Sequence, residues 1–232
     1  MVARVKQSLM TKVQSLKIPG PVGGLETLLK FREHEKPAGL AVVCHPHPLF
    51  QGTMHNKVVF ALAEAFFALG FYVLRFNFRG TGLSEGIHDH GNGEVEDALA
   101  AVHFLRKQHP SAASHIAGFS FGARVAIAAA ERSHEVTSLT AVSPSIADMG
   151  PSALRDLETP KLFIQGTADK ICPADELQSR YPGFAKPKRI ILIEAADHFF
   201  TGRLQELKDA VTMNRDVMGI EPLPMATDNE RL

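Results

Sequence analysis

Residues 115–131 read HIAGFSFGARVAIAAAE, and this stretch decides the fold. A short apolar run typical of a strand leads into a Gly-x-Ser-x-Gly pentapeptide, and an alanine-rich run typical of a helix follows. A serine on such a sharp strand-to-helix turn presents its hydroxyl outside the sheet, and the turn closes only when its neighbours are small. Gly118 and Gly122 are the positions where a Cβ would crowd the turn. The pattern predicts that Ser120 is a nucleophile, and the alternative is an ordinary glycine-containing loop.

The rest of the chain alternates strand-like with helix-like segments. The predicted strands are residues 13–18, 25–31, 39–44, 71–78, 115–118, 138–142, 161–165 and 189–194, of which the first two form a hairpin. The predicted helices are residues 56–69, 94–108, 123–131, 174–180 and 204–218. This alternation predicts an α/β fold with a mostly parallel sheet of about seven to eight strands flanked by helices. We expect a single domain over residues 1–232, with mobile ends at residues 1–12 and 219–232.

The composition is that of an ordinary soluble protein and argues against several classes of partner. The 232 residues are 45% hydrophobic and 22% charged, the formal net charge is zero, and the pI is about 7.2. A chain without net positive charge does not favour binding to the polyanion nucleic acid. No apolar run is long enough to span a membrane. We expect no signal peptide and, with only Cys44 and Cys172, a reduced cytoplasmic setting. The sequence leaves the oligomeric state open, a homo-oligomer included.

Three polar residues lie just beyond the carboxyl ends of predicted strands. They are Ser120, Asp169 and His198, in that order along the chain. Active sites of mostly parallel sheets lie outside the carboxyl ends of the strands. We therefore predict that the three side chains meet there as nucleophile, acid and base.

Each of these residue types suits its predicted role. A serine hydroxyl is a poor nucleophile at neutral pH, so an imidazole must take its proton. A buried carboxylate holds that imidazole in one tautomer and stabilises its positive form. Asp169 has an alternative role as the end of a turn, since Gly-Thr-Ala-Asp is turn-like, and His198 is one of 11 histidines. Asp148 and Asp175 are weaker candidates for the acid.

Several motifs resemble those of the α/β-hydrolase superfamily. They are GFSFG at residues 118–122, GTADK at residues 166–170 and ADHFF at residues 196–200. Two more, HPHPLFQGTMHNK at residues 45–57 and RFNFRG at residues 75–80, resemble a bacterial family of small lidless hydrolases related to dienelactone-hydrolase-like esterases. The resemblance covers about residues 13–215. It implies an α/β-hydrolase fold without a cap domain and a Ser-Asp-His triad, but it says little about the substrate.

The resemblance also implies an oxyanion hole, a pair of N–H donors aimed at the oxygen that becomes negative. One donor is the backbone N–H of Phe121, the residue after the nucleophile. The other comes from the loop after the strand at residues 39–44, in which the prolines lack an N–H. By analogy with related esterases, His47 is the expected second donor and Leu49 is the alternative.

Two histidine clusters invite a metal interpretation that their spacing does not favour. His45, His47 and His55 lack a carboxylate or thiolate at helical spacing, apart from Cys44 in a buried strand. Residues 88–90, His-Asp-His, lie in a glycine-rich loop without a visible fourth ligand. We expect no metal at either cluster and a solvated loop at residues 88–90.

The glycine-rich residues 80–86 are not expected to form a phosphate-binding loop, because they lack the lysine followed directly by a serine or threonine hydroxyl that such a loop needs. No cofactor is expected. Asn77, Arg79 and Ser84 are instead predicted to hold loops in place near the site.

The connection between the strands at residues 138–142 and 161–165 is 18 residues long, too short for a lid domain. We expect an open cleft that accepts small or extended acyl groups. Most phenylalanines near the predicted site are expected to pack in the core rather than line an acyl pocket, and Phe119 in particular should point away from Ser120. The flanking residues are Phe50, Phe119, Phe121, Phe199 and Phe200.

These features together predict a serine hydrolase that cleaves a small-molecule ester, with thioesters as a related substrate class. The alternatives are a serine peptidase or amidase, and a non-catalytic binding protein that retains the fold. An intact set of Ser120, Asp169 and His198 argues against the last of these.

Overall fold

The computed structural model describes residues 10–150 and 154–220 of the chain. In this part of the chain, eight strands form one sheet: β1 (Thr11–Gly20), β2 (Gly23–Arg32), β3 (Leu40–Cys44), β4 (Tyr72–Phe76), β5 (Ser114–Phe119), β6 (Ser138–Val142), β7 (Lys161–Gly166) and β8 (Lys188–Ile193). Their order across the sheet is β1-β2-β4-β3-β5-β6-β7-β8. β1 and β2 form an antiparallel hairpin, β2 is antiparallel to β4, and the other neighbours are parallel. The predicted mostly parallel sheet is confirmed.

Helices cover both faces of this sheet. They are α1 (Lys57–Ala68), α2 (Asn92–Gln108), α3 (Phe121–Arg132), α4 (Ala174–Arg180) and α5 (Leu204–Met213). α1 and α5 pack on one face, whereas α2 and α3 pack on the other. The strands β3, β5, β6 and β7 are buried along their whole length because both of their faces are covered. Continuous apolar runs are the sequence pattern of such strands.

Two predicted boundaries differ from the structure for local reasons. β4 ends at Phe76 rather than at Phe78, because the N–H of Phe78 donates to the ring of His45 instead of to a strand. The helix predicted to run to Met218 ends at Met213, and a short 3-10 turn follows. The helix is followed by Asn214, a short polar residue. The side-chain amide of Asn214 donates to the carbonyl of Ala210 and so competes with the helix backbone.

Among the residues that the structure describes, no cap domain covers the carboxyl ends of the strands. The connection from β6 to β7 spans residues 143–160, and its described parts, residues 143–150 and 154–160, contain turns and bends but no helix or strand. None of the helices in residues 10–150 and 154–220 combines the length and the hydropathy of a membrane-spanning segment. The mobile ends expected from the sequence fall mainly on residues 1–9 and 221–232, which lie outside the described residues, while Thr11 and Lys12 belong to β1.

Candidate active site

Ser120 lies on the turn between β5 and α3 with a strained backbone, φ 57° and ψ −120°. Its N–H donates to the carbonyl of Val142 on β6 at 2.9 Å, and its own carbonyl accepts from Ala123 and Arg124 to begin α3. A non-glycine residue keeps a positive φ only where the surrounding structure enforces it, and such strain concentrates at functional sites. The structure thus contains the predicted strand–turn–helix arrangement, with Ser120 at its tip.

Gly118 and Gly122 leave the space that this turn needs. A Cβ on Gly118 would lie 2.1 Å from the carbonyl oxygen of Gly122, and a Cβ on Gly122 would lie 2.4 Å from the carbonyl oxygen of His45. Both obstacles are backbone atoms, so a rotamer change cannot relieve either contact. The close approach at Gly122 also brings the loop after β3 beside Ser120.

The structure brings Ser120, His198 and Asp169 together. His198 Nε2 lies 3.2 Å from Ser120 Oγ, and His198 Nδ1 lies 2.8 Å from Asp169 Oδ2. Asp169 and His198 are only 4% and 5% exposed, while Ser120 is half-buried. A proton on Nδ1 leaves Nε2 able to accept the proton of the serine. The weaker candidates for the acid, Asp148 and Asp175, are exposed and form no ion pair with His198.

Asp169 is satisfied by hydrogen bonds on both carboxylate oxygens. Oδ1 accepts the N–H groups of Ile171 and Cys172 at 2.9 and 2.8 Å, and Oδ2 also accepts the amide of Gln165 at 3.1 Å. Burial by itself raises the pKa of Asp169, but hydrogen bonds from His198 and Cys172 outweigh it and hold the pKa below its ordinary value. Asp169 is therefore an ionised carboxylate at neutral pH.

Sequence reasoning missed two residues that belong to this neighbourhood. Gln165 also donates to the carbonyl of Cys172 at 2.8 Å, which fixes the turn that carries Asp169. A polar residue near the end of an otherwise apolar strand is the signal that points to it. Arg124 follows Ser120 by four residues, and this helical spacing places it on the same side of α3 as the serine.

The phenylalanines near Ser120 and His198 differ in their burial. Phe119 is fully buried, as predicted, and its ring centroid lies 4.9 Å from that of His198. Phe121 and Phe200 are also buried, whereas Phe50 and Phe199 are exposed. The expectation that most of these rings pack in the core is therefore correct.

The backbone N–H groups of Phe121 and His47 donate to no acceptor within the described part of the chain. The N–H of Leu49, by contrast, donates to His47 Nδ1 at 3.2 Å. Burial lowers the pKa of His47, and neighbouring His88 and Arg124 lower it further, so the His47 ring is neutral and can accept this bond. Because its N–H is occupied, Leu49 is less suited than His47 to donate to a bound oxyanion.

His45 ties the loop after β3 to the end of β4. Its Nε2 accepts the N–H of Phe78 at 3.0 Å, and its Nδ1 donates to the carbonyl of Pro46 at 2.7 Å. Burial lowers the pKa of His45 to about 4, so the ring is neutral and serves as both donor and acceptor. Among residues 10–150 and 154–220, no group of three His, Cys, Asp or Glu side chains is arranged to hold a metal ion.

The expectation of a solvated loop at residues 88–90 is wrong for His88. The His88 side chain is only 10% exposed. Its Nδ1 lies 2.8 Å from Glu94 Oε1, but the angle between the two groups is not that of a hydrogen bond. Its ring packs against those of His47 and Phe121, with centroids 5.0 and 5.7 Å away. His90 is exposed, as expected. His88 becomes buried because α2 begins next to it and presents Glu94.

The residues predicted to hold loops do so. The Asn77 side chain accepts the N–H of Met54 at 2.9 Å, and Ser84 Oγ donates to the carbonyl of Asn77 at 2.6 Å. Arg79 forms a buried ion pair with Asp97 of α2, with Nη2 2.8 Å from Oδ1. The first contact fixes the loop after β4 against the loop that carries His47, the second holds the loop after β4 internally, and the third fixes it to α2.

Ser120 lines an open cleft with two lobes. The apolar lobe, about 360 Å³, is lined in part by Phe50, Ile171, His198 and Phe199. The polar lobe, about 430 Å³, is lined in part by His90, Phe121, Arg124, Ser145 and Asp148. Ser120, His47, Phe50 and Ile171 border both lobes. A cleft of this size suits a small molecule.

Comparisons with known proteins agree with this architecture. A family model described as serine aminopeptidase, S33, matches residues 41–154. An uncharacterised protein of Rickettsia prowazekii (strain Madrid E) is 37% identical over 202 residues, which cover 83% of this chain and 84% of that protein.

Two solved structures are similar over nearly the whole chain. An α/β serine hydrolase homologue from Coxiella burnetii has a TM-score of 0.81 and 36% identity, covering 90% of this chain and 99% of the other. A lidless α/β serine hydrolase from Xanthomonas campestris has a TM-score of 0.82 and 33% identity, covering 93% of this chain and 100% of the other.

A mostly parallel sheet, a serine on the strained turn after a central strand, and a histidine within reach of its hydroxyl define a hydrolase of the α/β type. The chain belongs to the α/β-hydrolase superfamily, among its members without a lid.

Proposed function

We propose that the protein is a serine hydrolase that cleaves carboxylic esters of small acyl groups through an acyl-enzyme on Ser120. Thioesters are a related substrate class. The observation that supports this proposal is the chain of contacts from Asp169 through His198 to Ser120, at 2.8 and 3.2 Å, at the carboxyl end of the sheet.

In the acylation step, His198 Nε2 takes the proton of Ser120 as Oγ attacks the acyl carbon. Asp169 stabilises the resulting imidazolium and keeps its proton on Nδ1. The backbone N–H groups of Phe121 and His47 hold the negative oxygen of the tetrahedral intermediate. His198 then gives its proton to the alcohol oxygen as the bond from that oxygen to the acyl carbon breaks.

In the deacylation step, water takes the place of the alcohol. His198 removes a proton from the water, whose oxygen attacks the acyl carbon of the ester formed with Ser120. The second tetrahedral intermediate collapses when His198 returns the proton to Ser120 Oγ, which releases the carboxylic acid. The enzyme regains its starting protonation state, so no cofactor is needed.

Measured hydrolysis of p-nitrophenyl butyrate by purified variants tests this function. Ser120→Ala should lower kcat by about 10³-fold or more, because removing a triad member leaves only the residual catalysis of the oxyanion hole and binding. Ser145→Ala is the matched control, since Ser145 lines the same cleft but lies outside hydrogen-bond reach of His198. Equal activity of Ser120→Ala and wild type would overturn the proposal.

A second candidate is a serine peptidase that acts at amino termini. It is favoured by the description of the matching family model and by Asp148, an exposed carboxylate in the polar lobe that could receive an α-ammonium group. Release of p-nitroaniline from aminoacyl p-nitroanilides at rates comparable with ester cleavage would support it. Loss of that activity in Asp148→Asn would identify the ammonium site.

We also propose that the protein works in the cytoplasm. Cys44 and Cys172 are buried free thiols, and burial raises the pKa of Cys172 to about 11, so that thiol stays protonated and unreactive. Cell fractionation tests this part of the proposal, and recovery of the protein outside the cytoplasmic fraction would contradict it.

A further inference from the structure

Arg124 lines the polar lobe, which Ser120 also lines. It lies in the first turns of α3, four residues after Ser120, and is half-buried. One of its amino groups donates to the carbonyl of His90 at 3.2 Å, and its guanidinium carbon lies 5.1 Å from the Phe121 ring centroid. Among the described residues, no carboxylate lies within 4.0 Å of it.

The loop before α2 holds this guanidinium in position. Gly91 has φ 106°, and a Cβ there would lie 2.7 Å from Arg124 Nη2. The glycine therefore leaves the space in which the guanidinium rests. Among the described residues the carbonyl of His90 is the one acceptor that bonds the Arg124 side chain, so most of its five N–H groups have no partner there and can serve a ligand.

The position of His198 determines which part of an ester enters each lobe. As general acid, His198 must protonate the alcohol oxygen, so the alcohol leaves on the side of the cleft that His198 lines. His198 lines the apolar lobe and not the polar lobe. The acyl chain, on the other side of the carbonyl carbon, therefore extends into the polar lobe towards Arg124.

We propose that the acyl group of the natural substrate ends in a carboxylate that Arg124 binds. The substrate class is then the half-esters of short dicarboxylic acids, with the alcohol in the apolar lobe. A guanidinium suits this role because it donates two parallel hydrogen bonds to a carboxylate. The inference rests on the proposed ester hydrolysis and names the substrate class of that site.

Asp148 is the opposing charge in the same lobe. It is exposed and forms no ion pair with Arg124 within 4.0 Å, so it does not neutralise the guanidinium by direct pairing. The negative charge of Asp148 nevertheless repels an anionic acyl group. Replacing Asp148 by a neutral residue should therefore raise the preference for substrates that carry such a group.

Three esters with matched chain lengths test this inference. Monobutyl adipate carries a carboxylate at the end of a six-carbon acyl chain, butyl hexanoate carries none, and 4-(hexanoyloxy)butanoate carries it on the alcohol. The measured quantity is kcat/KM for release of the acid. Wild type should prefer monobutyl adipate to butyl hexanoate by roughly 10-fold or more, as expected for a hydrogen-bonded charge pair.

The ratio of the two kcat/KM values within each variant cancels any loss of folding or catalysis common to both esters. Arg124→Gln should reduce the preference for the adipate ester at least several-fold, Arg124→Lys should keep part of it, and Asp148→Asn should increase it. An unchanged ratio in Arg124→Gln, or a preference for 4-(hexanoyloxy)butanoate, would overturn the inference while leaving ester hydrolysis intact. If wild type cleaves none of the three esters and does not cleave p-nitrophenyl butyrate either, the proposed function itself is overturned.

Discussion

Ser120, Asp169 and His198 lie at the ends of β5, β7 and β8, whereas most of the cleft wall comes from longer loops after β3, β4 and β6. The three residues are tied together by hydrogen bonds, and two of them are nearly fully buried. The wall includes exposed side chains, such as Phe50 from the loop after β3, and Ile171 and Phe199 from the loops that carry Asp169 and His198. The geometry of these three residues is thus fixed by the sheet, and we expect the wall to determine what binds.

This difference predicts two kinds of mutational response. Changes at the three residues should lower kcat steeply for every substrate, because they remove transition-state stabilisation. Changes in the wall should alter kcat/KM modestly and by amounts that depend on the substrate. The following variants test this division, from the largest expected effect to the smallest.

Asp169→Asn should lower kcat by about 10⁴-fold with little change in KM, because an amide favours the wrong tautomer of His198. Steady-state kinetics with p-nitrophenyl butyrate measures both constants. Asp175→Asn is the matched control, since Asp175 is exposed at the start of α4. Comparable losses in the two variants would mean that the buried carboxylate has no special role.

Gly122→Ala should destabilise the fold by about 1–3 kcal/mol, because its Cβ meets the carbonyl oxygens of His45 and Cys44 at 2.4 and 2.5 Å. For a chain of this size, Tm should fall by roughly 3–10 °C, which thermal unfolding followed by circular dichroism measures. Gly183→Ala is the control, because nothing lies within 4 Å of a Cβ at that position. Equal Tm values for the two variants would contradict the tight contact between α3 and β3.

Acid should destabilise the protein through two buried histidines other than His198. Burial lowers the pKa of His45 to about 4 and that of His115 to about 3. Between these values and the ordinary histidine pKa near 6.5, the unfolded chain binds protons that the folded chain excludes. The free energy of unfolding should therefore fall as pH falls from about 6.5 to 4, by up to about 1.4 kcal/mol per pH unit for each histidine.

Urea unfolding at a series of pH values measures this slope. His115→Gln should make the dependence shallower, because it removes one of the two titrating groups. His103→Gln is the control, since the His103 side chain is 69% exposed. A slope that is the same in both variants would show that burial of His115 does not exclude the proton.

Phe199→Ala should reduce the preference for longer alcohols by roughly 3- to 10-fold, since the exposed ring lines the apolar lobe. The ratio of kcat/KM for butyl and ethyl esters of one acid measures this preference. Phe60→Ala is the matched control, because Phe60 is also exposed but does not line the cleft. Loss of activity towards both esters in equal proportion would place Phe199 with the catalytic residues rather than with the wall.

The same division explains how much the sequence could predict. Apolar runs and glycines locate the strands and the turn at Ser120, because burial on both faces and steric contact restrict the residues allowed there. The strand ends then indicate Asp169 and His198. Contacts made by tertiary packing leave weaker signals, so the burial of His88 against Glu94 and the hydrogen bond that ends β4 at His45 could not be predicted.

Residues of the wall, and the residue that supports Asp169 from β7, are also difficult to recognise in a sequence. Arg124 has the helical spacing that places it near Ser120, but only the structure shows that Gly91 leaves space for its guanidinium. Gln165 lies in an apolar strand, and its contact with Asp169 depends on how the following turn folds back. Specificity therefore rests on loop conformations that periodicity does not encode.

Reaction with a fluorophosphonate probe, followed by mass spectrometry of the digested protein, tests the central claim most directly. The probe reacts with a serine only where a base activates it and an oxyanion site receives the new charge. We predict one adduct, on the peptide that contains Ser120, and its loss in His198→Ala. An unmodified Ser120, or an adduct on another serine that persists in His198→Ala, would contradict the assignment of Ser120 as the nucleophile.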